Sequence, residues 1–404
     1  MDAEGRPIRA RARAQTSLTP TNGEALLDAA RELVPAIVAA RDDIERERRL
    51  PSSLADAMRS AQLFELWLPK IFGGPELHPI DFLRVVEELS RGDGSAGWCA
   101  AVHGVYSLLA GGLSETAARE ISAGHAVIAG TINPTGRASV IDGGYRVSGR
   151  WSYGSGIAHS VWTIGNCVVQ DEAGPRRSPS GAPELRFMFF PTSAVEIIDT
   201  WRVGGMRGTG SHDFRVEDLF VPEGHSMPAF VAQDTQPGTL YRMPMMSLFV
   251  FALGAVTLGI ARAAIASFVE LAGAKTPMGS TALLRDKSSA QADIGRAETM
   301  VRAARAFLVE AVEQQWAEIA AGQAPSLAKR AAIRLASTFA GEASVRAVDL
   351  VYAAGGGSAI YESGRIDRCF RDVHVAVQHI GLTTNNYELT GRVLLGLDPG
   401  TPRF

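Results

Sequence analysis

The sequence predicts an α+β protein with an N-terminal helical domain, a central β-barrel or sandwich domain and a C-terminal four-helix bundle. Three observations carry this. Apolar residues recur at helical spacing as far as about residue 124. Short aromatic and β-branched runs separated by turn residues then take over as far as about residue 225. Two long Ala-rich amphipathic stretches follow, and such helices need one another as partners. At 404 residues the chain is too long for one simple core, and the expected division is 1–22, 23–124, 125–225 and 226–404.

The opening "MDAEGRPIRARARAQTSLTPTNG" is basic and polar without an apolar stretch, so it reads as a disordered leader, with Arg9, Arg11 and Arg13 as solvated charges. "GEALLDAARELVPAIVAARDDIERERR" carries one apolar and one charged face, a helix pattern. A second helix opens near "LPSSLADAMRS", with Ser52 or Ser53 as its expected N-cap. Gly92-Asp93-Gly94 is read as a tight polar connection between two further helices. In the central region "DGG", Asp142 to Gly144, marks a hairpin.

The totals exclude several functions. A net charge of −3 gives no electrostatic reason to bind nucleic acid or anionic membrane. The most apolar run, "MPMMSLFVFALGAVTLGIARAAIASFVELAG", carries Arg262 and Glu270 and is read as a buried core helix rather than a membrane span. Cys99, Cys167 and Cys369 stand far apart with no metal-ligand spacing, so no metal site is expected and a reduced cytoplasm fits. The glycine runs are not read as phosphate loops, since neither a Walker pattern nor a full Rossmann fingerprint is present.

In order along the chain stand "LPKIFGGPEL", "EELSRGDGSAGW", "GTINPTG", "GGYRVSGRWSYGSGIAHSVW", "GMRGTGSHDFRVEDLFVPE" and "GGGSAIYESGRIDRCFRD". Each is weak alone; together, at this spacing, they resemble the acyl-CoA dehydrogenase superfamily from about residue 24 to 399. The resemblance implies that fold and a flavin. Many of its dehydrogenases carry a catalytic Glu nine residues after the Arg of an Arg-Asp pair. Counting from Arg371 lands on Ile380, and an isoleucine cannot take a proton. No carboxylate lies in "YRMPMMSLFVFALGAVTLGIARAAI", the other place where the family puts its base.

The branch without this Glu is the flavin-dependent monooxygenases, and the chain is most similar to 4-hydroxyphenylacetate and 3-hydroxy-seco-steroid hydroxylases. The resemblance implies the oxygenase component of a two-component system. Reduced flavin, FMN somewhat more than FAD, comes from a separate reductase and reacts with O₂ to a C4a-hydroperoxide, which hydroxylates an aromatic or polycyclic small molecule. The lean to FMN comes from Ser280, which stands where the dehydrogenases place an Arg on the FAD pyrophosphate. A homotetramer is expected, because one chain would leave the Ala-rich helices partly bare. The alternatives are a dehydrogenase or oxidase with a relocated base, and an inactive binding subunit.

In that branch a His lies eight residues after the Arg, here His379; it and His374, five residues earlier, stand in what reads as one helix, where they point to different sides, and His374 is read as structural. Ser155 of "GRWSYGSG" resembles the branch's Ser near flavin N5, with His103 as a further catalytic candidate. The expected cofactor contacts are Asn133, Trp151, Ser152, Tyr153, Ser155, Arg285, Gly356 and Gly357, and the expected substrate contacts are Trp98 and Tyr106. Each has a plainer reading: core packing for the aromatics and histidines, turn chemistry for Asn133, Thr209 and Ser211.

Overall fold

The computed structural model describes residues 22–123, 125–178, 181–230, 236–401 and 404; the expected leader, including its three arginines, lies outside them. The first region holds six helices: α1 (Asn22–Ala39), α2 (Arg41–Glu47), α3 (Ser52–Ser60), α4 (Pro79–Gly92), α5 (Gly94–Leu108) and α6 (Glu115–Ser122). Pro51, not Ser52 or Ser53, is the N-cap of α3, because Pro suits the residue just outside a helix and the serines already lie in its first turn. Asp93 ends α4 in an extended conformation and starts α5, accepting from the N–H groups of Ser95 at 2.9 Å and Ala96 at 3.3 Å.

The strands are β1 (Ile128–Ile141), β2 (Gly144–Gly154), β3 (Trp162–Asp171), β4 (Gly174–Pro175), β5 (Leu185–Pro191), β6 (Glu196–Ile198), β7 (His212–Pro222) and β8 (Ser226–Pro228). The last of them lies wholly beyond the boundary expected at residue 225. Among the described residues they form one sheet in the order β6-β7-β2-β1-β3-β5-β8, with β4 beside β3. Among these described strands only β1 and β3 run parallel. Ile141 pairs with Gly144, and Gly143 between them sits at φ 73°, so the expected hairpin is a tight one that needs glycine there. The sheet curls around its own core: the Trp151 ring of β2 lies 5.2 Å from Phe214 of β7 and 6.1 Å from Phe190 of β5, across three other ladders.

The third region holds α7 (Thr239–Arg242), α8 (Met245–Ala274), α9 (Ser288–Ala320), α10 (Leu327–Gly355), α11 (Arg365–Ala376) and α12 (Asn385–Leu394). Helix α8 is long and apolar enough to cross a membrane, yet 94% of its most apolar stretch is buried inside the protein. It packs against α4 and α5 on one side and against α9, α10 and α11 on the other. This sandwiching makes one continuous core of the two helical regions.

Candidate active site

Helix α5 is buried along its whole length, and it supplies the first wall of the candidate cleft, where sheet and bundle meet. The Trp98 indole N–H donates to Ser155 Oγ at 3.1 Å, just past the end of β2. The same indole meets the His379 ring edge-to-face at 5.9 Å. Phe249 of α8 lies 5.4 Å from His379 and 6.1 Å from Tyr106 of α5. Tyr106 is anchored by donating its hydroxyl to the Gly130 carbonyl at 3.2 Å. Five segments distant in sequence therefore meet in an aromatic wall with two polar groups, Ser155 and His379.

His379 does not sit inside a helix as the sequence reading had it. Helix α11 ends at Ala376, and the chain continues in a tight turn in which the Leu382 N–H donates to the His379 carbonyl at 2.8 Å. The Gly381 N–H donates to His379 Nδ1 at 3.0 Å. Burial pushes the imidazole down to about 4, so it is neutral at pH 7. With Nδ1 accepting, the single ring proton sits on Nε2, and His379 offers a donor. His374 faces elsewhere: its Nδ1 bonds the Phe370 carbonyl at 2.7 Å and its Nε2 lies 3.4 Å from Asp349 of α10.

Ser155 stands in a turn braced from below. Gly156 holds φ 69° and donates its N–H to the Thr209 carbonyl at 2.7 Å. The segment carrying Thr209 is held in turn by α11. Arg371 donates to the Gly204 carbonyl and to Glu45, both at 2.7 Å, while Asp372 accepts from the Met206 N–H. The Arg-Asp pair singled out in the sequence is thus a brace for the 204–209 loop. Arg368 of the same helix reaches Asp93 at 3.1 Å, which ties the start of α5 to this brace.

Several expected site residues stand apart from the cleft. His103 is fully buried behind the Ser155 turn, with Nδ1 on the Ile128 carbonyl at 2.7 Å and its ring against Phe64. A Cβ on Gly156 would come within 2.3 Å of His103 Nε2, so this ring supports the turn and is not exposed to the cleft. Trp151 lies in the sheet core, fully buried, its indole donating to the Asn166 carbonyl at 2.8 Å. Strand alternation turns Ser152 away from that core, and Tyr153 projects outward, 61% exposed, toward Trp201. Tyr153 holds φ 69°, unusual for a bulky residue and a sign of a constrained turn.

Asn133 lies where the pairing of β1 with β3 breaks between Thr131 and Gly136, so its backbone is not committed to that ladder. Below it the Asn166 amide donates to the Ile132 carbonyl at 2.8 Å, and its Oδ1 is buried with no partner. Arg285 is on an exposed turn between α8 and α9. Gly356 and Gly357 form the turn after α10, with Gly356 at φ 56°. No contact joins these three to the aromatic wall. Conversely, Phe249 was not legible as a site residue, since one Phe in a continuous apolar run carries no distinguishing pattern.

A flat aromatic wall carrying two polar groups, Ser155 and His379, suits a flat ring with a polar edge, such as that of a flavin. Comparison with known proteins agrees. Residues 21–123 match the acyl-CoA dehydrogenase N-terminal domain and residues 251–384 its C-terminal domain. The chain is 31% identical over 381 residues to indole-3-acetate monooxygenase of Pseudomonas putida, covering 93% of this chain and 94% of that one. It is 29% identical over 399 residues to the flavin-dependent monooxygenase oxygenase subunit HsaA of Mycobacterium tuberculosis, covering 95% and 99%. The structure of XiaF from Streptomyces sp. in complex with FADH2 and glycerol superposes with a TM-score of 0.87 at 27% identity, covering 94% and 97%. The chain belongs to the acyl-CoA dehydrogenase superfamily. Within it, the chain stands in the branch of flavin-dependent monooxygenases and is an enzyme of that class.

Proposed function

We propose that this enzyme is the oxygenase component of a two-component system, hydroxylating an aromatic or polycyclic small molecule with O₂ and reduced flavin delivered by a separate reductase. The observation that carries this is the pair His379 and Ile380. Where the dehydrogenases hold a proton-abstracting carboxylate there is an isoleucine, 67% exposed, and beside it a neutral imidazole bearing its proton on Nε2. When bound, the flavin supplies the electrons that activate O₂. The chain's own residues do the rest. Trp98, Tyr106 and Phe249 exclude water and stack a flat substrate, Ser155 meets the flavin's polar edge, and His379 donates from Nε2 to a substrate hydroxyl or other oxygen. Asn133 contributes its backbone carbonyl from the stretch of β1 outside the β3 ladder, its N–H already donating to Thr131 Oγ1.

Either reduced FMN or reduced FAD satisfies this reading, which uses only the ring. The exposed apolar side chains Ile360 and Tyr361, 58% and 64% exposed, and Leu394 and Leu395, 73% and 79%, support assembly of several copies, a homotetramer in this proposal. Light scattering at micromolar concentration reads the assembly, and a monomer would overturn it. For the reaction, the protein is mixed with a generic flavin reductase, NADH and a panel of indoles and phenols. Oxygenated product in step with O₂ consumption is expected. Bleaching of oxidised flavin by an acyl-CoA would instead mark a dehydrogenase, and no flavin binding at all an inactive subunit.

A further inference from the structure

The hydroxyl groups beneath the Ser155 turn form a chain whose direction is set by its two ends. At one end is the Trp98 indole N–H, a group that only donates, 3.1 Å from Ser155 Oγ. At the other is the Met206 carbonyl, which only accepts, 2.8 Å from Thr209 Oγ1. Between them Ser155 Oγ and Ser211 Oγ are 2.8 Å apart, and Ser211 Oγ and Thr209 Oγ1 are 2.7 Å apart. Each hydroxyl owns one proton. Thr209 gives its proton to Met206, so Ser211 must donate to Thr209, and Ser155 must donate to Ser211. Trp98, Ser155, Thr209 and Ser211 are all buried, which leaves little room for water to reverse the order. The terminal carbonyl is held in place, since the Thr209 N–H and the Trp201 indole also donate to it, and the Met206 N–H is bound by Asp372.

Ser155 therefore has no proton to spare. It has accepted one hydrogen bond and donated its own, and what remains is a lone pair. We propose that Thr209 and Ser211 are positioning residues that hold Ser155 as a hydrogen-bond acceptor toward the cofactor, and so make the site prefer reduced over oxidised flavin. This rests on the flavin reading of the cleft given above. The chemistry follows from the ring: N5 of a reduced isoalloxazine carries a proton, whereas N5 of the oxidised ring is a bare acceptor. An acceptor in the wall satisfies the first and opposes the second. In sequence these two residues, in "RGTGSHD", look like turn chemistry, and only the closure of the chain onto Trp98 gives them a direction.

The test titrates flavin-free protein, anaerobically and without substrate, with oxidised and with dithionite-reduced FMN and FAD, following tryptophan fluorescence. The readout is the ratio of the two dissociation constants, not turnover. Ser211→Ala leaves the Ser155 proton without an acceptor and lets it turn toward the cofactor. The preference for reduced flavin is expected to fall by roughly tenfold or more, mainly through tighter oxidised-flavin binding. Thr209→Val, which frees Ser211 to reverse, should give a smaller fall in the same sense. Thr209→Ser keeps the hydroxyl and should keep the wild-type ratio. General damage to the turn weakens both redox forms together and leaves the ratio unchanged. An unchanged ratio in both Ser211→Ala and Thr209→Val overturns the positioning role while leaving the functional reading intact. Wild-type protein that binds neither flavin form overturns that reading itself.

Discussion

His103 and His379 lie on opposite sides of the Trp98–Ser155 contact, and both imidazoles are pushed down to about 4 by burial. Their protons nevertheless sit on opposite nitrogens. His103 meets a carbonyl, that of Ile128, and so must carry its proton on Nδ1, which leaves the buried Nε2 bare beside Gly156. His379 meets an N–H, that of Gly381, and so carries its proton on Nε2. A pKa alone does not distinguish a supporting histidine from an acting one. The backbone group facing each ring does, because it decides which nitrogen is left to work and where that nitrogen points.

The largest effect is expected where the working nitrogen is removed. His379→Ala should still bind reduced flavin and consume O₂ but release H₂O₂ instead of product. The hydroxylation rate should fall by ~10² to 10⁴-fold, the range for losing a positioned proton-handling group. The yield of product per O₂ checks this, and full coupling in the variant would move the site away from His379. His379→Gln, which retains a side-chain donor, should recover part of the coupling.

His103→Ala should behave in the opposite way, with a cavity and a lost bond to Ile128 costing ~2–4 kcal/mol of stability while folded enzyme keeps its product yield. Gly156→Ala sharpens the same contrast from the other partner. Its Cβ would collide with His103 Nε2 and its φ of 69° disfavours any side chain, so a loss of about 2 kcal/mol or more is expected, together with weaker flavin binding as the Ser155 turn shifts. Thermal unfolding and flavin titration read the two effects separately.

Acid should separate folded from unfolded chain through these same rings. His103, His379 and His159, the last pushed down to about 3, all have folded pKa values below the free value of 6.5, chiefly by burial. The unfolded chain therefore binds more protons between those limits. The stability these rings contribute is present in full above about pH 6.5 and is lost as pH falls through 6 and 5 toward 4. Burial raises the Asp372, Glu65 and Glu87 carboxyls and works in the opposite sense. The check is therefore the calorimetric Tm advantage of wild type over His379→Gln, which should shrink as pH falls through that range; a constant difference would contradict the burial of this ring. The smallest effect belongs to His374→Ala. This removes a half-exposed contact with Asp349 and should cost under about 1 kcal/mol with product yield unchanged.

Much of this architecture was legible in the sequence, and the reasons are local. Asp93 between two glycines announces one helix ending and another starting, and Asp142-Gly143 announces a hairpin, because both signals act on adjacent residues. His379 was reached by counting along a resembled pattern from Arg371, but the pattern placed it on a helix that in fact ends at Ala376. Trp151 and His103 were expected to face cofactor or substrate and are instead interior. Alternation or helical spacing says which residues share a face, not whether a second layer covers that face. Phe249, Thr209 and Ser211 gained meaning only when α8 and the 204–211 segment were brought against α5, a relation between segments that no local pattern records.

Helix α8 has a consequence for how the chain is made. Its earlier partners α4 and α5 are already synthesised when it emerges, but α9, α10 and α11 are not. Helix α10 is complete only some eighty residues after α8 ends, a delay of several seconds at about 5–20 residues per second. Through that interval a thirty-residue apolar cylinder is covered on one side alone. The nascent chain is then at its most adhesive, toward other nascent chains and toward lipid alike. Recovery of folded protein should therefore respond to slower translation or added chaperone more than to any substitution in the cleft.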